Sequence, residues 1–128
     1  MRFVEREARR GRHYDGILLD PPKYGRGPKG ERWRIESDLV PLLQARRGLL
    51  SETPLFLLLT IYAIRASSQA AHFAMADIVA ALGGEVTSGE LVIVEDLPVR
   101  TRTVKTQADE AISPRVISQA NFARWTPF

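Results

Sequence analysis

Asp20-Pro21-Pro22-Lys23-Tyr24 is the stretch of this chain whose residue types are best suited to chemistry. The apolar run Ile17-Leu18-Leu19 leads into it and stops at the carboxylate. Each proline fixes φ and lacks the N–H that a β-ladder needs, so a strand must end there. Asp20 is therefore delivered at the carboxyl end of a strand, the edge at which open α/β sheets bind ligands. Lys23, Arg26, Lys29, Arg32 and Arg34 follow in close succession, with Glu31 as the one acid among them. Such a cluster can neutralise phosphates. Charge alone fits a solvated basic loop equally well; the position directly behind Asp20 favours the phosphate-binding reading.

Other constellations offer less. The chain has no cysteine, which removes disulfides, thiolate zinc sites and cysteine nucleophiles together. His13 and His72 are far apart and lack carboxylates at metal-ligand spacing, so no metal is expected. Asp15 and Asp20 fall at opposite ends of one strand and make a poor acid/base pair. No serine sits in a nucleophile elbow.

The elements that must position Asp20 follow from periodicity. Residues 2–10 read as a helix of Arg and Glu stopped at Gly11, with Arg9 and Arg10 suiting its C-terminal dipole end. Residues 14–19 read as the first strand, and 20–36 as a long loop rich in Pro and Gly, of a length that is usually functional or disordered. Asp38 is the expected N-cap of a helix over 39–47, with Pro41 in its first turn and Leu39, Leu42, Leu43 and Leu50 near one face. Residues 55–61 read as a strand buried on both faces. Ser67 or Ser68 caps a helix over 69–82 with a Met75, Ile78, Val79, Leu82 stripe, ended by Gly83-Gly84. A strand over 90–96, a protruding polar loop or hairpin arm over 99–111, and a last strand over 118–125 complete the chain. Alternating helices and strands predict an α/β fold with a parallel sheet. The last two strands, with no helix between them, predict an antiparallel pair at one edge.

The whole chain has 128 residues, enough for one domain with a core. Eighteen Lys and Arg against fifteen Asp and Glu give a net charge of +3, too mild an excess to argue for nucleic acid on its own. The longest apolar run, residues 55–64, is half of the ~20 residues a membrane span needs, and no signal-peptide core follows the charged N-terminus. A cytoplasmic protein without membrane contact is expected.

The Asp-Pro-Pro-Lys-Tyr string resembles the active-site loop of class I AdoMet-dependent methyltransferases. With its strand (residues 14–23) and the following Gly27-Pro28-Lys29-Gly30-Glu31-Arg32-Trp33, it resembles the bacterial ribosomal RNA large-subunit methyltransferases. The likeness runs over residues 2–125 but covers only the second half of such a catalytic domain. It implies a single partial methyltransferase domain over 1–128: half of a Rossmann-like sheet, parallel strands with helices plus an antiparallel C-terminal pair. It also implies S-adenosylmethionine as cofactor and methyl transfer to a base of ribosomal RNA. Asp20, Pro21, Pro22 and Lys23 take the catalytic places. Asp20 accepts a hydrogen bond from the target base or orients the cofactor, the proline carbonyls accept hydrogen bonds, and Lys23 contacts base or phosphate. Tyr24 offers a stacking face, and Arg26, Lys29 and Arg32 contact the substrate. Thr60, Tyr62 and Arg65, at the end of the second strand, either line the pocket or merely cap the strand. Relatives that make 5-methylcytosine use a cysteine often found near that point; this chain has none, so covalent catalysis of that type is excluded while methylation at a base nitrogen stays open.

The resemblance also marks what this half does not carry. The glycine-rich turn and ribose-binding acid of the cofactor site belong to the first half, and Gly25-x-Gly27 leads into no immediate helix. AdoMet binding by this chain alone is therefore doubtful. The first strand keeps an uncovered edge, which predicts a homodimer or a complementing chain there. The alternative function is an inactive fragment or RNA-binding module without an AdoMet site. The blandest reading of Asp-Pro-Pro is a tight turn after a strand.

Overall fold

The computed structural model describes residues 2–62, 64–95 and 114–128. Helix α1 (Arg2–Arg9) leads to strand β1 (Gly16–Leu19), a small hairpin of β2 (Tyr24–Arg26) and β3 (Arg32–Arg34), and helix α2 (Ile35–Arg47). Strand β4 (Phe56–Ile61), helix α3 (Ser68–Val79) with a 3₁₀ turn (Ala80–Leu82), and strands β5 (Glu85–Val94) and β6 (Val116–Thr126) follow. The expected arm over 99–111 lies outside the described residues. Among the described residues no helix is long and apolar enough to cross a membrane.

The main sheet has the order β1-β4-β6-β5. β1 and β4 are parallel, with Leu19 opposite Leu59, while β6 runs antiparallel to both β4 and β5. The expected antiparallel pair lies at one edge of the sheet, with β5 outermost and β6 inserted between it and β4. In β4, Leu57, Leu59 and Ile61 are buried while Phe56, Leu58 and Thr60 are half-buried, so one face rather than both is fully covered. That covered face meets Met75, Ile78 and Val79 of α3, with Trp125 and Ala123 of β6, in one core cluster. Trp125 also donates from Nε1 to the Gly83 carbonyl at 2.7 Å, which satisfies the polar atom of a buried aromatic. Gly84 has φ +93 and packs on Thr126 and Trp125, where no side chain would fit.

Several boundaries differ from the sequence expectation for local reasons. α2 begins at Ile35, one turn earlier than expected, with Arg34 as N-cap. Asp38 is not the cap: its carboxylate accepts from the Arg34 N–H at 2.7 Å, reaching back over the first turn. Pro41 accordingly lies inside the helix, on its exposed side. α3 is capped by Ser67, whose hydroxyl accepts from Ala70 N–H. It gives way to the 3₁₀ turn before Leu82, which is exposed and outside the stripe. β5 starts five residues before the expected strand, because the polar segment Glu85–Gly89 finds a ladder partner in β6.

Candidate functional site

β1 delivers Asp20 to the carboxyl edge of the sheet, level with Thr60 at the end of β4. Thr60 Oγ1 donates to Asp20 Oδ1 at 2.5 Å and lies 3.4 Å from the Leu19 carbonyl. One carboxylate oxygen is thus held by the neighbouring strand. Pro21 is buried, while Asp20, Pro22, Lys23 and Tyr24 are exposed. The Pro22 carbonyl accepts from Trp33 Nε1 at 2.6 Å, and the Lys23 carbonyl accepts from Ile35 N–H at 3.0 Å. The turn after Asp20 is therefore pinned by β3 and by the start of α2.

The stretch expected to be one long loop, 20–36, contains the β2–β3 hairpin. Its closing turn is Gly27-Pro28-Lys29-Gly30, with Gly30 N–H donating to the Gly27 carbonyl at 3.0 Å. Pro at the second position and Gly at the fourth suit such a turn, and Gly30 has φ +83, which favours glycine. Register sets the side chains. Tyr24 pairs with Arg34 and Arg26 with Arg32 on one face, while Gly25 pairs with Trp33 on the other. One exposed face thus carries three guanidinium groups and a phenol. Two arginines directly opposite each other repel, an arrangement that an anionic partner would relieve. A shallow hollow is lined by Lys23, Tyr24, Arg34, Glu36 and Ser37.

Of the residues singled out from sequence, Asp20 and Thr60 meet directly, and Tyr24, Arg26 and Arg32 share the hairpin face. Lys29 lies in the exposed hairpin turn, its N–H donating to Glu31 Oε2 at 3.0 Å. Tyr62 and Arg65 follow β4 and are exposed, whereas the side-chain bond described for Asp20 goes to Thr60. The sequence placed Arg34 in the basic cluster but not among the substrate contacts, and gave Trp33 no role in the site. Arg34 joins through strand register, and Trp33 through its bond to Pro22; the Gly-Pro-x-Gly turn was the signal that could have revealed both.

β1 is anchored at its other end. Glu7 is buried and accepts from Tyr14 Oη at 2.7 Å, with Arg6 and Arg10 at 3.4 and 3.3 Å and Arg12 at 3.7 Å. The Tyr14 hydrogen bond, with these cations and against burial, holds the Glu7 carboxyl below its usual range. The same bond pushes Tyr14 up. Burial lowers Arg46, which lines an apolar groove along the open edge of β1 with Tyr14, Ile17, Leu18 and Leu49. Asp15 accepts from Ser51 Oγ at 2.6 Å at this same end, away from Asp20.

Among the described residues, the connection from β1 to α2 runs through the β2–β3 hairpin, which holds Gly25, Gly27 and Gly30, rather than through a turn leading straight from strand to helix. Among the described residues no group of three His, Cys, Asp or Glu is arranged to hold a metal ion.

No protein-family model matches the chain, and no curated protein does. The solved SAM-dependent methyltransferase from Agrobacterium tumefaciens is 43% identical, with a TM-score of 0.83 over 100% of this chain and 38% of its own. SMU.776, solved with SAH and proposed to be a methyltransferase, is 18% identical with a TM-score of 0.52, over 98% of this chain and 29% of its own. The second likeness is one of fold alone. The chain spans well under half the length of either, and its fold is that of part of a Rossmann-like methyltransferase sheet.

Proposed function

We propose that this chain is the target-facing part of an S-adenosylmethionine-dependent methyltransferase that acts on a base of ribosomal RNA. The observation that carries the reading is the pairing of a fixed carboxylate with a basic face: Asp20 is held by Thr60, and the pinned turn behind it leads into the Tyr24, Arg26, Arg32, Arg34 surface. The 43% identity to a SAM-dependent methyltransferase supports the cofactor class.

In this reading the Asp20 oxygen not held by Thr60 accepts a hydrogen bond from the target base or orients the cofactor. Methyl transfer needs mainly alignment of nucleophile and methyl group and exclusion of water. A rigid Asp-Pro-Pro turn, latched by Trp33, suits that task. Lys23 contacts base or phosphate, Tyr24 stacks on an extruded base, and Arg26, Lys29, Arg32 and Arg34 neutralise phosphates. Tyr62 and Arg65 line the approach from β4. The open edge of β1 takes a strand from the segment or partner chain that carries the glycine-rich cofactor turn.

The test is methyl incorporation into ribosomal RNA by this chain combined with a counterpart of the remainder of its Agrobacterium relative. Calorimetric titration with AdoMet is run alongside. Asp20→Ala is expected to lower incorporation by about 100-fold, the scale of a misaligned reacting pair. Arg26→Ala and Arg32→Ala should each reduce the salt slope of RNA binding by about one. RNA binding without AdoMet binding in the combined system would replace this reading with that of an RNA-binding module.

A further inference from the structure

Two segments leave the carboxyl edge of the sheet at the Asp20–Thr60 pair. The first starts from Asp20 and is latched by Trp33 at the Pro22 carbonyl. The second joins β4 to α3 and starts just beyond Thr60. Along it Ile64 packs against the core, and the Ala66 carbonyl accepts from Asn121 Nδ2 at 2.8 Å. Ser67 follows as the N-cap of α3. Asn121 reaches this segment from β6, where it lies opposite Ile61, the last residue of β4. A carbonyl can only accept, so the side-chain amide presents its NH₂ group there. Strand alternation puts Asn121 on the same face of β6 as Ala123 and Trp125, both buried. A polar group in such surroundings is costly unless it is hydrogen-bonded, and the Ala66 carbonyl supplies the partner.

We propose that Asn121 is a positioning residue for methyl transfer: through the Ala66 carbonyl it fixes the backbone that carries Arg65, and so sets where Arg65 meets the target nucleotide. The role rests on the function proposed above and adds to it a residue from a strand remote in sequence. Arg65 stands between two held neighbours, Ile64 in the core and Ala66 on Asn121. Its own guanidinium is exposed and, among the described residues, engages no hydrogen bond or ion pair. A free cation on a fixed backbone suits the binding of a phosphate or base, because little freedom is lost when the ligand arrives. The arrangement also repeats that of the first segment. In each, a side-chain N–H from a later strand, Trp33 of β3 or Asn121 of β6, takes a backbone carbonyl of the segment. Packing alone asks for an apolar residue at position 121, as at 123 and 125; the amide is explained by the carbonyl it holds.

The test is a double-mutant cycle in the combined methyl-transfer system described above. Asn121→Leu keeps a similar volume but cannot donate; Asn121→Ala takes its place if circular dichroism shows the leucine variant unfolded. Misplacement by about 1 Å can cost about 100-fold in rate, and Arg65 touches the nucleotide rather than the reacting atoms, so a fall in kcat of about tenfold is expected. The dissociation constant for ribosomal RNA should change by no more than about twofold, since the hairpin arginines supply most of the phosphate contacts. In an Arg65→Ala chain the same replacement should lower kcat no further, because the group through which Asn121 acts is gone. A merely structural asparagine would lower the denaturation midpoint and leave kcat unchanged well below it. Unchanged kcat in the Asn121 variant, or an equal further loss in the Arg65→Ala chain, would overturn the proposal. If the unmodified chain transfers no methyl group in this system, the proposed function falls and this role with it; if it is active, the variants test Asn121 alone.

Discussion

Strand β6 has two ends in two environments. At its carboxyl end Ala123 and Trp125 are buried between β4, β5 and α3; at its amino end Val116 and Ile117 are more than half exposed. Both ends pair antiparallel with β5, on either side of the bulge at Gln119. What differs is the layer. α3 and β4 cover the first end, and neither reaches the second. Apolarity makes burial favourable, but a side chain is buried only where a second layer exists to cover it.

The contrast can be broken at the packed end first. Trp125→Ala should cost about 3–5 kcal/mol, measured as a lowered denaturation midpoint, because it empties the space under Gly83 and Gly84 and leaves the Gly83 carbonyl without its donor. A cost below about 1 kcal/mol would mean that this end is no better packed than the other.

A second prediction uses pH and reads the anchor of β1 instead. The folded carboxyl of Glu7 lies below its ordinary value of 4.5, so its contribution is complete above that value and is lost as pH falls through the lower folded one. Tyr14 lies above its ordinary 10.0, so its contribution is complete below 10 and declines as pH rises through the higher folded one. Stability should therefore drop at both extremes. Glu7→Gln should flatten the acid limb, checked by urea titrations at several pH values; an unchanged acid limb would remove Glu7 as its source.

Thr60→Val removes the bond to Asp20 and should cost about 1 kcal/mol by chemical denaturation, with a larger loss in methyl transfer than in RNA binding. The smallest effect is expected at the exposed end of β6's partner. Ile93→Lys should change the stability of the chain by no more than about 0.5 kcal/mol, although the residue is as apolar as any in the core. A large loss there would show that this end is covered within the chain itself.

Much of the architecture was legible in the sequence. Asp20 marks the end of β1 because two prolines stop a ladder, and Ser67 marks the start of α3 because a hydroxyl can hold a free N–H. The hairpin behind Asp20 was not legible as strands. Tyr-Gly-Arg and Arg-Trp-Arg show no alternation of apolar residues, and pairing arises from the turn between them. Leu91 to Val94 reads as a strand of the edge pair with no sign of how much of it is covered, and these four residues are among the exposed large hydrophobics of the described residues. Hydropathy is a property of the residues, whereas cover depends on where α3 and β4 end.

The sequence by itself determined the helices, the parallel strand pair with its acid at the carboxyl end, and the basic cluster that follows. Each is governed by contacts between residues near in the chain: fixed proline dihedrals, capping side chains, helical and strand periodicities. Tertiary structure alone decided that Thr60 holds Asp20 from forty residues away, that β6 enters between β4 and β5, and that Arg34 joins Tyr24 on one face. Those relations rest on strand register and order, which are set by the packing of whole layers, and no short stretch of sequence contains them.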